Sequence, residues 1–210
     1  MNRRRFCLAG CLFACLVPLP SPSWCAPRRP TGWRPLMDGY TFAGWHMVGD
    51  GLWTVESGSL VGRACNEKLY GLLVSKDTFR DFRLRLRYKS DNGDSGVYIR
   101  TDIQPPDEAH GLQIQVGPIG SGNGGIYESY DRGWLVHPTV DDEKRWVRPG
   151  DWNDLEILAS GGTVEVRLNG TVTAQLRDDP GRPRGHIALQ MHSGTVMDVR
   201  FRDIQVWENP

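Results

Sequence analysis

The stretch that decides the fold is Asp81–Arg100, DFRLRLRYKSDNGDSGVYIR. Phe82, Leu84, Leu86 and Tyr88 alternate with Arg83, Arg85, Arg87 and Lys89, and a period of two marks a strand with one dry and one wet face. Asp91-Asn92-Gly93-Asp94 carries turn chemistry, because Asn and Gly tolerate positive φ. The chain returns as Ser95–Arg100, where Val97 and Ile99 share one face and Gly96, Tyr98 and Arg100 the other. The segment reads as a hairpin with an apolar side and a polar side, half of a sandwich.

Outward from that stretch the same grammar repeats. Trp53–Val61 reads as two strands joined by a tight turn at Ser57-Gly58. Gly111–Val116 alternates strictly, and Trp152–Ala159, Val164–Asn169 and Val172–Leu176 form a meander turning at Asn169-Gly170. Gly185–His192 and Val196–Trp207 end the chain as two further strands. Residues 117–150 read mostly as loop with a short strand at Gly125–Tyr127, an insertion longer than most connections and of the kind that carries function. The pattern predicts no amphipathic helix. Ten to twelve short strands with 25 Gly and 14 Pro predict an all-β, two-sheet antiparallel jelly-roll sandwich.

Residues 1–26 read as an export signal. Arg3, Arg4 and Arg5 precede an apolar run from Phe6 to Val17 that is too short to span a bilayer. Arg-Arg-x-Phe-x-Leu at Arg3–Leu8 fits a twin-arginine leader, and an ordinary secretory leader fits as well. The expected location is periplasmic or secreted. Segments ending at Cys11 and Cys15 resemble lipoboxes, but the first lacks a preceding apolar run and the second carries Phe13, so no lipid anchor is expected. Residues 27–35 form an irregular lead-in, and 36–208 one jelly-roll domain. Four of five cysteines belong to the leader, which leaves Cys65 and no internal disulfide. Acids and bases balance at 25 each. A chain starting at Ala26 loses Arg3, Arg4 and Arg5 and carries −3, with no footprint for nucleic acid.

The polar alternates are the functional signal. Tyr98 and Arg100, Gln113 and Gln115, and Gln190 and His192 each interrupt an aliphatic series. If their strands share a sheet, these side chains gather on one face, since neighbouring strands lie about 5 Å apart. Antiparallel sheets carry a wet face in any case, so each Gln alone means little. The set together suits a hydroxyl-rich ligand, with amides as paired donors and acceptors and rings beneath a sugar. Tyr127 and Trp134, within the long insertion, join it as candidate binding residues, and Trp146 is a second candidate for stacking. His192 is the candidate base. No motif demands a cofactor, and Asp141-Asp142-Glu143 is either a site for a divalent cation or a solvated loop.

Phe42–Trp45, Trp53–Gly58, Lys76 before Phe79–Phe82, Ser95–Arg100, Gly111–Gln115, Gly125–Tyr127, Trp152-Asn153, Leu168–Gly170 and Gly185–His192 fall in one order. In that order they resemble the 3-keto-disaccharide hydrolase domain family, whose fold is a concanavalin A-like jelly roll, over roughly Leu36 to Trp207. The resemblance implies an exported bacterial protein acting on 3-keto-glycosides by base-assisted elimination and hydration. By position it implies His192 as base, Arg100 as electrostatic stabiliser and Gln115 as the residue that orients the sugar. The chain departs from the family's Gly-Tyr-Glu-x-Gln pattern, with Leu112 and Gln113 in place of Tyr and Glu. A non-catalytic carbohydrate-binding module of the same fold is the alternative, and a structural adhesion domain a third reading.

Overall fold

The computed structural model describes residues 32–64, 69–193 and 196–208. The leader, its lipobox-like segments, most of the lead-in and all five cysteines, Cys65 included, lie outside the described residues. Fifteen strands and one helix form among those described. The first strands are β1 (Arg34–Pro35), β2 (Trp45–Gly49), β3 (Leu52–Glu56), β4 (Ser59–Ala64), β5 (Gly71–Phe79) and β6 (Phe82–Asn92). Next come β7 (Ser95–Gln104), β8 (Glu108–Val116), β9 (Ile126–Glu128) and β10 (Gly133–Val136), then α1 (Val140–Trp146). The chain closes with β11 (Asn153–Ser160), β12 (Thr163–Leu168), β13 (Thr171–Leu176), β14 (Gly185–Met191) and β15 (Met197–Glu208). No helix among the described residues is long and apolar enough to cross a membrane.

Two antiparallel sheets face each other. One runs β13-β12-β11-β6-β15-β4-β3, with β1 added on β15, and the other runs β10-β9-β8-β7-β14-β5-β2. This is the jelly-roll sandwich that the alternation predicts. Phe82, Leu84, Leu86 and Tyr88 of β6 point inward to meet Val97 and Ile99 of β7, Leu112 and Ile114 of β8, and Ile187 and Leu189 of β14. Burying a side chain of this size contributes about 1.5–3 kcal/mol, so the inner faces dominate the stability of the sandwich.

The hairpin reading of Asp81–Arg100 is overturned. β6 and β7 do not pair: β6 lies between β11 and β15, and β7 between β8 and β14. The turn at Asn92–Asp94 is an arch that carries the chain from one sheet to the other. A strand has only two hydrogen-bonding edges, and distant segments occupy both edges of each strand. Arg83, Arg85, Arg87 and Lys89 therefore line the outer face of a central strand. Arg85 stacks 4.1 Å from the Trp33 ring and donates to Gln205, and Arg87 pairs with Asp154.

Within the two-residue turns the sequence signals are followed. Asn169 and Gly170 have φ of 50° and 85°, and Ser57 and Gly58 have 48° and 76°, the positive values that primed hairpin turns require. The insertion departs from its expected loop. Thr139 and Asp142 cap each other reciprocally and start α1, a capping-box spacing that is present in the sequence. The helix carries Glu143 into the interior, where its carboxylate accepts from Gly120 N, Gly122 N and Asn123 Nδ2. Asn123 Oδ1 in turn accepts from the Tyr88 hydroxyl at 3.0 Å, so the insertion is pinned to the core. Trp146 packs against that core and so has no stacking role at the site described below.

Arg100 is the second correction. Its φ is 49°, and Arg100 and Thr101 together oppose Gly111 in a bulge that interrupts the β7–β8 register between Ile99 and Asp102. The bulge breaks the period of two, so Arg100 leaves the face of Tyr98. Its buried guanidinium donates to Arg80 O at 2.7 Å, Gly161 O at 2.8 Å and Asp81 Oδ1 at 3.2 Å. Those groups sit at the β5–β6 and β11–β12 connections, and the contact ties one sheet to the other. Burial lowers its pKa, with Asp81 opposing. Replacing Arg100 by Met takes the guanidinium donor from the Arg80 and Gly161 carbonyls and leaves Asp81 with the Gly161 N–H and the Arg80 side chain. The expected loss is about 3 kcal/mol of unfolding free energy, read by chemical denaturation of both proteins.

Candidate functional site

Because Val97, Ile99, Ile114, Ile187 and Leu189 are committed to the interior, the alternate residues of β7, β8 and β14 emerge on the opposite face of the same sheet. These three strands are neighbours in the order β8-β7-β14. A pocket of about 460 Å³ opens on this face. Its floor is Tyr98, Gln113, Gln115 and Gln190, and the insertion supplies a wall from Tyr127, Ser129, Tyr130 and Trp134. His192, just past the end of β14, and Asp94, just before β7, complete the rim with Tyr70. Of the nine residues singled out from the sequence, seven thus stand together: His192, Tyr98, Gln113, Gln115, Gln190, Tyr127 and Trp134. Arg100 does not line the pocket, for the reason given above.

The floor is a closed polar network. Gln113 Nε2 donates to Gln115 Oε1 at 2.6 Å and to Gln190 Oε1 at 3.4 Å. Gln190 Nε2 donates to the Tyr98 hydroxyl at 3.2 Å, which shares a hydrogen bond of 2.9 Å with Ser129 Oγ. Buried polar groups must find partners, and here they hold one another in fixed orientations. Among the described residues, Gln115 Nε2 has no hydrogen-bond partner, which leaves it as a donor for a ligand. Gly96 creates the room: a Cβ there would lie 2.5 Å from Gln113 Cγ and 2.6 Å from its Nε2. On the wall, the Trp134 ring lies 4.1 Å from His137 in a stack and 5.4 Å from Tyr127 edge-on.

The rim holds the titratable groups. Burial pushes the Tyr70 hydroxyl up to about 12, so it remains a donor at neutral pH. Tyr98 is driven further in the same direction by its deeper burial. Partial desolvation raises the Asp94 carboxyl above the ordinary range; His192 opposes this, and Glu143 adds to it. His192 Nδ1 makes a short contact with the Ser193 carbonyl oxygen. A carbonyl only accepts, so Nδ1 carries the proton and Nε2 of the neutral ring keeps its lone pair. Among the described residues no three His, Cys, Asp or Glu side chains converge on a point that would hold a metal ion. The Asp141–Glu143 segment is helical, with Asp142 spent on the cap and Glu143 on the insertion, so it does not fit a cation site.

Asp94, Ser129, Tyr130 and Tyr70 were not singled out from the sequence. Asp94 had a readable signal, since 94, 96 and 98 share parity with Tyr98, but the turn motif Asp91–Asp94 masked it. Ser129 follows Tyr127 by the same rule. Tyr70 and Tyr130 belong to connections whose placement no period dictates.

The family model of the 3-keto-alpha-glucoside-1,2-lyase-like domain matches residues 32–207. A crystal structure from Parabacteroides distasonis ATCC 8503, named as a glycosyl hydrolase, is 21% identical, with a TM-score of 0.64 over 85% of this chain and 94% of its own. A second such structure from the same organism is 24% identical, with a TM-score of 0.63 over 84% of this chain and 99% of its own. The carbohydrate-binding module CBM66 of Bacillus subtilis shares 14% identity, with a TM-score of 0.54 over 77% of this chain and 93% of its own. At these identities the structural likeness establishes the fold. No curated protein matches the sequence.

The charges around Asp94 make its titration predictable in direction. Its carboxyl carbon, followed by NMR, should titrate above the ordinary aspartate range. In His192→Ala the midpoint should rise further, because the imidazolium that favours the carboxylate is gone. In Glu143→Gln it should fall, because a neighbouring negative charge is removed.

Proposed function

Because the chain belongs to the 3-keto-alpha-glucoside-1,2-lyase-like domain family, we propose that the pocket on the β8-β7-β14 face binds a sugar ring bearing a ketone. The observation that carries this reading is the lining itself. Three glutamines, a serine and a tyrosine present fixed donors and acceptors, flanked by the Tyr127 and Trp134 rings. Each sugar hydroxyl both donates and accepts, and pre-oriented amides meet that need with little ordering cost on binding. Aromatic walls take the apolar face of the ring. The volume of about 460 Å³ falls in the range of small-ligand sites. A module that binds without turnover is complete with these residues alone.

A second reading adds turnover, and the rim pair favours it. A ketone at C3 acidifies the proton on C2, because the resulting carbanion delocalises onto the ketone oxygen. A base takes that proton, the C1–O bond breaks, and the aglycone leaves with the electron pair and a proton. Water then adds across the C1–C2 double bond. His192 Nε2 offers a lone pair, and Asp94, with its raised pKa, is a carboxylate poised nearer neutrality for proton transfer. Tyr70 and Gln115 Nε2 are donors available to the enolate oxygen. Gln113 stands where the family carries a carboxylate, and Asp94 restores one on the same face. Arg100 takes no part. Export to the periplasm or exterior remains part of the proposal, resting on Arg3–Val17.

Calorimetry with a methyl 3-keto-α-glucoside and its parent glucoside tests both readings. The keto form should bind saturably, and Gln115→Ala or Gln190→Ala should weaken it about tenfold, near 1.4 kcal/mol. If the protein is an enzyme, free methanol and 3-keto-glucose accumulate, with the unsaturated keto sugar as intermediate, and Asp94→Asn and His192→Ala stop this while binding persists. Binding without product in the wild type removes the enzyme and leaves the module. Absence of binding by either sugar removes both.

A further inference from the structure

The hydrogen bonds of the pocket floor run in one direction around a closed ring. Gln113 Nε2 donates to Gln190 Oε1 at 3.4 Å, Gln190 Nε2 to the Tyr98 hydroxyl at 3.2 Å, and Ser129 Oγ to Gln113 Oε1 at 3.4 Å. Because the Ser129 proton is spent on Gln113, the Tyr98 hydroxyl is the donor in the 2.9 Å bond between Tyr98 and Ser129. One branch leaves the ring: the second Nε2 proton of Gln113 goes to Gln115 Oε1 at 2.6 Å. Gln113 reaches these partners by lying across Gly96, where a Cβ would fall 2.5 Å from its Cγ.

Only this direction satisfies the ring. Its reversal would turn Gln113 Oε1 toward Gln115 and Gln190 and leave Gln113 Nε2 facing Ser129 alone, with one N–H stranded. Gln113 is 5% exposed, and a buried N–H without an acceptor is tolerated less than a carbonyl with a lone pair to spare. The two amide protons of Gln113 therefore hold Gln115 with its oxygen inward and its Nε2 toward the ligand. Every amide oxygen of the three glutamines already accepts from a neighbour, that of Gln113 from Ser129 and those of Gln115 and Gln190 from Gln113. A ligand oxygen without a proton is met at Gln115 by a donor, whereas a hydroxyl in the same place must compete for an acceptor for its own proton.

We propose that Gln113 is a positioning residue that decides which end of the Gln115 amide faces the ligand, and that through Gln115 it makes the pocket select a carbonyl oxygen over a hydroxyl. The inference rests on the sugar-binding reading of the pocket, and it assigns the discrimination between a keto sugar and its parent alcohol to a side chain that acts from behind Gln115. A carboxylate at position 113 has no proton to give. It would accept from Gln115 and Gln190, both amides would turn over, and Gln115 Oε1 would face the ligand. Exchange of one NH2 group for an oxygen thus reverses the polarity of the floor without changing its shape.

Affinities of methyl 3-keto-α-glucoside and methyl α-glucoside, measured by calorimetry at neutral pH, test it. The wild type should favour the keto form about tenfold. Gln113→Glu should reverse the order, so that the parent glucoside binds better. Gln113→Leu removes both donors without adding charge, frees the Gln115 amide to turn, and should bring the two affinities together; it decides the matter if Gln113→Glu does not fold. Gln115→Ala should also abolish the preference, and adding Gln113→Glu to it should then leave the ratio of affinities unchanged, whereas a loss of packing alone would lower both affinities and spare the ratio in every background. A wild-type preference that survives in folded Gln113→Glu or Gln113→Leu, or a ratio that Gln113→Glu shifts equally with and without the Gln115 side chain, overturns the inference and leaves the sugar reading standing. Equal binding of the two sugars by the wild type does the same. Failure of both sugars to bind overturns the sugar reading and this inference with it.

Discussion

Two sheets can close on each other only if every strand surrenders one face to the space between them. That constraint organises the molecule. Once Val97, Ile99, Ile114, Ile187 and Leu189 are spent on the interior, the residues between them have nowhere to go but the outer face of the same sheet. The pocket floor of Tyr98, Gln113, Gln115 and Gln190 is therefore a by-product of core formation. It is as rigid as the core because it is the reverse side of the same strands.

What turns a polar face into a pocket is the insertion, and the insertion is held by charge. Glu143 reaches from α1 to three N–H donors, and Asn123 relays that contact to the Tyr88 hydroxyl in the core. A carboxylate that accepts several hydrogen bonds in a buried place is costly to disturb. The wall of Tyr127, Ser129, Tyr130 and Trp134 consequently stands on an anchored segment, even though it follows a stretch rich in glycine. The same carboxylate adds to the field felt by Asp94. Support of the wall and tuning of the rim thus share one residue.

Much of the site was legible because it obeys a local rule. Alternation alone located Tyr98, Gln113, Gln115, Gln190 and, by extension, His192, and it supplied the all-β sandwich. Where that rule breaks, the reading failed. Arg100 follows Tyr98 by two and belongs to the polar face by count, but the bulge consumes an extra residue and turns it toward Asp81 and Gly161. Asp203, with φ of 55°, shifts the parity of β15 in the same way, so that Val199 and Phe201 are followed inward by Ile204 and Val206. A bulge is chosen by the strands on either side of it, which a single segment does not contain.

By itself, then, the sequence determined which residues turn inward along each regular strand, where two-residue turns fall, and that a face of amides and aromatics exists. These follow from side-chain period and backbone φ, which are properties of neighbouring residues. Tertiary structure alone decided which strands lie side by side. The pattern of Phe82–Val97 serves a hairpin and an inter-sheet arch equally well, and only competition for hydrogen-bonding edges from β8, β11, β14 and β15 selects the arch. It also decided that Asp94 and His192 line one pocket, and that the Tyr130 ring stacks on His110. Those meetings depend on chain closure over long separations, which no local period encodes.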